Sequence, residues 1–313
     1  MIRCHLSGGL GNQMFQFAMA YAMAKRANAE LRLNTYLLSE KYRRRLESPR
    51  EYELSIFPLL SNMRTYAPTF DVEEFIHFRN PLARACLRLH RFANRFFRFC
   101  VHEGAGLSLD EIFHPAHNRP YHIYGYWQSE DYFRDCADDI RNLFKFPPLA
   151  EAENQRVADM IRACGDRSVS VHVRRGDYVS SPSAAGLLGN CCPLSYYERA
   201  MRHIKKILGD GDVSFFVFSD DIPWVKDNMS FPGRSVFIDW NNGEKSFRDM
   251  QLMSLCRHHV IANSTFSWWG AWLGEERNSV IIAPPKWYSD EKQQEKYVNS
   301  IIPARWKAND CRF

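Results

Sequence analysis

Arg174 and Arg175 follow an alternating run, Val169, Val171 and Val173, and precede Gly176 and Asp177. Valine alternating with small or polar residues marks a strand. Two guanidiniums at a strand's carboxyl edge suit an anionic ligand, because an open α/β sheet binds ligands in the crevice outside those ends. The planar Arg fork also meets phosphate oxygens two at a time. Gly176 lets the backbone pass close to such a ligand. An isolated arginine pair more often meets surface carboxylates, and His172 also reads as a satisfied strand histidine; the strand and the Gly-Asp turn favour the anion.

Three further segments end where a doubly wound sheet places a ligand. Phe215 to Phe218 runs into Ser219, Asp220 and Asp221; Phe247, Arg248 and Asp249 open a helix; His259 to Ala262 runs into Asn263, Ser264, Thr265, Phe266, Ser267, Trp268 and Trp269. Donors converge on an anion while carboxylates stand by to read a base or sugar, which is an inventory shaped for a nucleotide. Each part has a plainer use. Asp249 also fits a carboxylate complementing a helix dipole, and Trp268, Trp269 and Trp272 read as core rather than as a sugar platform. Near the start, Ser7-Gly8-Gly9-Leu10-Gly11-Asn12-Gln13 turns a short strand into a helix reaching Lys25 or Ala27. Such a loop offers backbone N–H groups to a phosphate or sugar, although G-x-G-x-x-G is absent. Neither Ser-His-Asp logic nor metal-ligand spacing is present.

The elements that must carry these residues alternate. Strands are read at 2–6, 31–33, 121–127, 169–173, 213–218, 235–238, 259–262 and 279–283, with a helix from Pro193 to Leu208 and an acidic helix after Gln128-Ser129. Alternation implies largely parallel sheets. Pro147-Pro148 marks a boundary, dividing the chain into residues 1–150 and 151–313. Arg84, Arg88, Arg91, Arg95 and Arg98 form one stripe of a helix, read as a solvated face with peripheral membrane contact as the alternative.

With 313 residues, 45% hydrophobic and 25% charged, the chain is an ordinary globular protein of about two domains. A net charge of +5 is mild and selects no partner by itself. No nucleic-acid-binding signature accompanies it. The nine cysteines are scattered and odd in number, so they suggest neither a disulfide framework nor zinc, and Cys191-Cys192 reads as a reduced loop pair. No apolar run approaches the roughly 20 residues that span a bilayer. The segment from Phe15 to Ala24 imitates a signal peptide, yet Gln13 and Gln16 interrupt it and a basic leader is lacking, which favours a cytoplasmic enzyme.

Taken in order, Gly8 to Gln16, His172 to Tyr178, Phe218 to Asp221 and Asn263 to Trp269 resemble the bacterial α1,2-fucosyltransferases of glycosyltransferase family 11. The resemblance runs almost end to end. It implies an α/β fold of GT-B type, two Rossmann-like domains facing a central cleft. Residues 1–150 would serve the acceptor side and 151–313 the donor, with the last segment free to pack back on the first domain. It also implies inverting, metal-independent transfer of L-fucose from GDP-fucose to the 2-hydroxyl of a β-galactoside, with no cofactor beyond the donor. The acceptor would be a galactose-containing oligosaccharide or lipid-linked glycan, reached from the cytoplasmic side of the inner membrane. Transfer to another linkage, or glycan binding without catalysis, are the alternatives.

More distantly, the second half is similar to α1,6- and protein O-fucosyltransferases. By that likeness Arg174, with His172 and Arg175, would hold pyrophosphate, Asp249 would face guanine, and Ser264, Thr265 and Ser267 would complete the donor site beside Ser219 and Asp220. Asn12 matches a donor-proximal asparagine. The α1,6 enzymes carry a base glutamate shortly after the arginine motif, whereas Val179 to Ser183 contains none. Asp177 is the nearest carboxylate, as base or as a brace for the arginines.

Overall fold

A computed structural model describes residues 1–43, 49–68, 85, 88–89, 92, 94, 99–103, 120–176, 178 and 181–308. The chain forms two compact units, Met1–Phe146 and Pro147–Phe313.

The first unit is built on five parallel strands in the order β3-β2-β1-β5-β4: β1 Ile2–His5, β2 Leu31–Asn34, β3 Thr65–Tyr66, β4 Cys100–His102 and β5 Tyr121–Tyr124. Successive residues of a strand face opposite sides. In β1 that puts Ile2 and Cys4 on one face and Arg3 and His5 on the other. The helix Leu10–Arg26 packs on β1 and β2 and is apolar almost all round, as a buried helix must be. Its last turn carries Lys25 and Arg26, which complement the helix dipole and pair with Asp139 and Asp135. The strand read through Trp127 stops at Tyr124, because Gly125 (φ 132°) and Trp127 (φ 54°) leave the extended region. Two short 3-10 turns then precede the helix Ala137–Leu143.

The second unit carries six parallel strands in the order β11-β10-β9-β6-β7-β8: β6 Ser168–Val173, β7 Ser214–Ser219, β8 Arg234–Ile238, β9 His258–Val260, β10 Ile281–Ala283 and β11 Lys307–Ala308. β6 is buried along its whole length, as a central parallel strand covered on both faces should be. Val169, Val171 and Val173 pack with Phe215, Val217 and the apolar face of the helix Leu194–Leu208. Trp268, Trp269 and Trp272 on the helix Thr265–Gly274 are core, buried and packed ring on ring. The chain's last described strand, β11, extends the edge of this second sheet beside β10.

Among the described residues no helix is long and apolar enough to cross a membrane. Arg88 is helical and exposed; Arg84, Arg91, Arg95 and Arg98 of the arginine stripe lie outside the described residues, as does Asp177.

Candidate functional site

Because β9, β6, β7 and β8 are adjacent and parallel, their carboxyl ends form one row. That row collects His172, Arg174 and Arg175 after β6, Ser219 to Asp221 at the end of β7, Trp240 and Asn241 after β8, and Asn263 to Ser267 after β9.

Val173 pairs in register with Ser219, so the loops leaving β6 and β7 start side by side. Arg174 Nη1 lies 2.9 Å from Asp220 Oδ2. The Arg175 backbone N–H donates to Asp220 Oδ1 at 2.9 Å, and its Nε donates to Asp221 Oδ2 at 3.1 Å. The Arg175 guanidinium also lies 3.6 Å from the centroid of the Trp224 ring, a cation–π arrangement. Asp221 accepts the Trp224 N–H as the cap of the helix Ile222–Asn228, so the carboxylate that pairs with Arg175 also anchors Trp224, the ring beneath it. The arginines thus meet carboxylates, as isolated pairs usually do, but half-buried ones at a strand end. An aspartate behind each guanidinium holds its orientation, which is what preorganised charge stabilisation needs.

In this geometry Ser219 and Asp220, read from the sequence as donor-site groups, are engaged by the protein itself. Asp220 is engaged by Arg174 and Arg175, and Ser219 Oγ accepts the Asp221 N–H at 3.0 Å. Both shape the loop that carries the charges. Gly176 belongs to the same arrangement, since a Cβ there would overlap the Asp220 carboxylate. Gly176→Ala should therefore displace Asp220 and lower activity about 10²-fold, the scale for a small misplacement of a catalytic group. Steady-state kinetics beside a melting curve check it; unchanged kcat/KM would mean that the arginine brace is dispensable.

His172 is buried, and its Nδ1 has no hydrogen-bond partner. Burial, and then the Arg174 guanidinium, push its pKa down to about 4, against a smaller opposing pull from Asp220. It is neutral at neutral pH, and a pKa this low makes it a weak proton acceptor. Tyr178 ties the β6 loop to the β9 loop, its hydroxyl donating to the Asn263 carbonyl at 2.9 Å, with Arg174 5.7 Å from its ring centroid.

Ser264 caps the helix Thr265–Gly274 in extended backbone geometry, and Thr265 opens it. Helix N-termini favour anions. Ser267 is fully buried and its hydroxyl donates toward the carbonyls of Ala262 and Ser264, so it builds the turn instead of lining a surface. Asn263 is likewise structural, its amide donating to the carbonyls of Leu188 and Trp287. Burial pushes the Cys192 thiol up to about 12, and Cys191 is raised by the same cause. The pair stays protonated, in keeping with a reduced loop.

Asp249 lies in the first turn of the helix Phe247–Met253. Its carboxyl is pushed up to about 7 by burial, offset in part by the N–H of Asn241, which donates to Oδ1 at 2.8 Å. Asn241 was not singled out from the sequence, although the strand-end rule applied to β8 leads directly to it. Trp224 escaped for another reason, as did the bracing role of Asp221, which the sequence offers only as a carboxylate at a strand end: both depend on the pairing of β6 with β7.

Asn12 belongs to the first unit, where its Oδ1 accepts from Gln128 Nε2 at 2.9 Å. The glycine-rich loop beside it is fixed by two buried glutamines. Gln13 donates to the Gly8 and Glu51 carbonyls and accepts the Glu53 N–H, while Gln16 accepts the Ser7 N–H and donates to Ser7 Oγ and the Gly125 carbonyl. Gly8 has φ 74°, and a Cβ on it would meet the Asn12 side chain. The loop therefore needs glycine there for both conformation and space.

The chain is similar to several known proteins. The Escherichia coli protein named alpha-1,2-colitosyltransferase is 32% identical, with 98% of each chain covered. The Escherichia coli O-antigen biosynthesis glycosyltransferase WbnK is 28% identical over 95% of this chain and 98% of its own. The human galactoside alpha-(1,2)-fucosyltransferase 1 is 29% identical over 48% of this chain and 42% of its own. Among solved structures, an Arabidopsis thaliana FUT1 mutant in complex with GDP superposes with a TM-score of 0.52 at 13% identity, covering 93% of this chain and 72% of that one. The fold is of GT-B type, with a parallel Rossmann-like sheet in each unit. The model of the family described as Glycosyl transferase family 11 matches residues 1–308, and this glycosyltransferase chain belongs to that family.

Proposed function

We propose that the protein transfers L-fucose from GDP-β-L-fucose to the 2-hydroxyl of a terminal β-galactoside, with inversion and without a metal ion. The observation that supports this most is the pair of arginines at the end of β6, each held by an aspartate from the end of β7. As the glycosidic bond breaks, charge develops on the departing GDP. Guanidiniums already oriented by Asp220 and Asp221 meet that charge without reorganising. Arg174 and Arg175 hold the pyrophosphate, Ser264 and Thr265 present a helix N-terminus, His172 supplies a neutral hydrogen bond, and Asp249 accepts from guanine. Asn12 is the donor-proximal amide of the first unit. With the bracing role taken by Asp220 and Asp221, Asp177 is the carboxylate assigned to the acceptor's proton. One displacement at C1 inverts the anomeric centre.

A second donor has a specific observation behind it, the name of the relative at 32% identity. Colitose is fucose without its 3-hydroxyl. A site that hydrogen-bonds that hydroxyl rejects the sugar lacking it strongly, whereas an apolar pocket discriminates weakly. Competition between GDP-fucose and GDP-colitose for a β-galactoside acceptor should favour fucose, and exclusive use of colitose would overturn the donor assignment.

Metal independence has its own test. Asp220 and Asp221, the adjacent acids at a strand end, are engaged by arginines. Activity should survive exhaustive chelation by EDTA. An enzyme silenced by EDTA and restored by Mg²⁺ or Mn²⁺ would contradict it.

A further inference from the structure

Trp240, Asn241 and Asn154 perform no step assigned above, yet a set of hydrogen bonds joins them to Asp249, and Asn154 Nδ2 also reaches Glu151 Oε2 at 3.5 Å. Asn154 Oδ1 accepts from Trp240 Nε1 and from Asn241 Nδ2, both at 2.9 Å. Its own Nδ2 donates to Asn241 Oδ1 at 2.9 Å. Both amides are buried. Asn241 Nδ2 spends its second hydrogen on Asp249 Oδ1 at 2.8 Å. An amide nitrogen only donates, so Asp249 Oδ1 must accept and a proton on this carboxyl sits on Oδ2.

We propose that Asn154 and Asn241 are positioning residues that fix the orientation and the proton of Asp249, so that guanine is read only when Oδ2 has given up that proton. This rests on the proposed role of Asp249 as the guanine contact. Ionised, the carboxylate offers two acceptors to the two donors of guanine, N1–H and the exocyclic amine. Protonated, it offers one donor and one acceptor, which matches the mixed edge of adenine. Guanine binding therefore expels a proton, and base selectivity follows pH.

Charged neighbours leave the carboxyl to this network. Arg248 and Lys245 pair with Glu151 at 3.1 Å and 3.9 Å, and Arg248 also donates to the Pro147 carbonyl. On the helix Ala152–Cys164, Glu153 and Arg156 are exposed and Arg162 pairs with Asp159. Asp239, in the loop after β8, pairs with Lys226, and Glu244 is exposed. The helix Thr265–Gly274, packed on the Asp249 helix, carries no ionisable side chain. With burial as the leading influence and the Asn241 N–H opposing it, the carboxyl titrates at about 7, inside the range where the switch can act.

Calorimetric titration of the whole chain with GDP and ADP between pH 5.5 and 8.5 tests this. The two ligands share a pyrophosphate, whose own titration cancels in their ratio. From pH 8 to pH 6 GDP affinity should fall about tenfold as the ionised carboxylate is lost, and the GDP-to-ADP ratio should fall up to about a hundredfold as the protonated form that matches adenine takes its place, one pKa unit lying on either side of the midpoint. Proton release should accompany GDP binding below pH 7. Asn241→Ala should move the midpoint to higher pH, and Asn241→Ser, which keeps a donor, should bring part of the shift back. Should Asn241→Ala fail to fold, Trp240→Phe should shift the midpoint in the same direction. A ratio flat with pH, or midpoints unmoved in these variants, overturns the inference. Asp249→Asn separates the two levels: GDP affinity and selectivity untouched in that variant remove the guanine contact itself. Selectivity lost there, with a flat wild-type ratio, removes only the proton-linked network.

Discussion

Arg174→Ala lowers sugar transfer about 10²- to 10³-fold, the scale for deleting one preorganised group that stabilises transition-state charge. The loss falls mainly on kcat, because the charge on departing GDP grows as the bond breaks. Arg174→Lys fails as well. An ammonium is a point charge and cannot hold Asp220 and a phosphate with one planar fork. Asp220→Asn gives a smaller loss, since Arg174 keeps its charge but not the partner 2.9 Å away that orients it. Steady-state kinetics of the three variants, with melting curves to show that each folds, check this ordering. Near-normal turnover in both Arg174 variants would remove the arginine from the mechanism.

Asp249→Asn weakens GDP binding about 150-fold and relaxes the preference for guanine over adenine. Two charge-assisted hydrogen bonds at about 1.5 kcal/mol each supply roughly 3 kcal/mol, and 1.36 kcal/mol corresponds to tenfold. The same substitution stabilises the ligand-free protein at alkaline pH. Burial raises the folded carboxyl from 3.8 to about 7, so between those values the folded state binds more protons than the unfolded one. Wild-type stability at this group consequently falls as pH rises through that window and levels off above it. Asparagine carries no such dependence. Melting curves at pH 5 and pH 8 should show the variant gaining on wild type at the higher pH, while calorimetry shows the lost GDP affinity. Unchanged affinity and selectivity would return Asp249 to the role of a helix-dipole carboxylate.

How much of this was legible in the sequence depends on how far apart the interacting residues lie. The β6 run and its arginine turn announce themselves because alternation and the following Gly-Asp are local. The tryptophans of Thr265–Gly274 read as core for the same reason. The partners of the arginines do not, because Asp220 and Asp221 reach them only through the β6-β7 pairing, 45 residues along the chain from Arg175 to Asp220. Asn154 and Asn241 are 87 residues apart, and single asparagines carry no periodic signal. In the sequence Gln13 and Gln16 only interrupt an apolar stretch; in the fold each bonds at both ends of its amide to hold the glycine-rich loop. β3, β4 and β11 span only two or three residues, too few for a period of two to register.

The central claim is a reaction, and its product decides it. The purified chain would be given GDP-β-L-fucose and a panel of β-galactosides, and the products examined by nuclear magnetic resonance for linkage and anomeric configuration. The account predicts fucose joined through an α-linkage to the galactose 2-hydroxyl, with GDP released in equal amount. A product carrying fucose at another hydroxyl, a retained β-anomer, or GDP released by hydrolysis with no glycoside formed would contradict it.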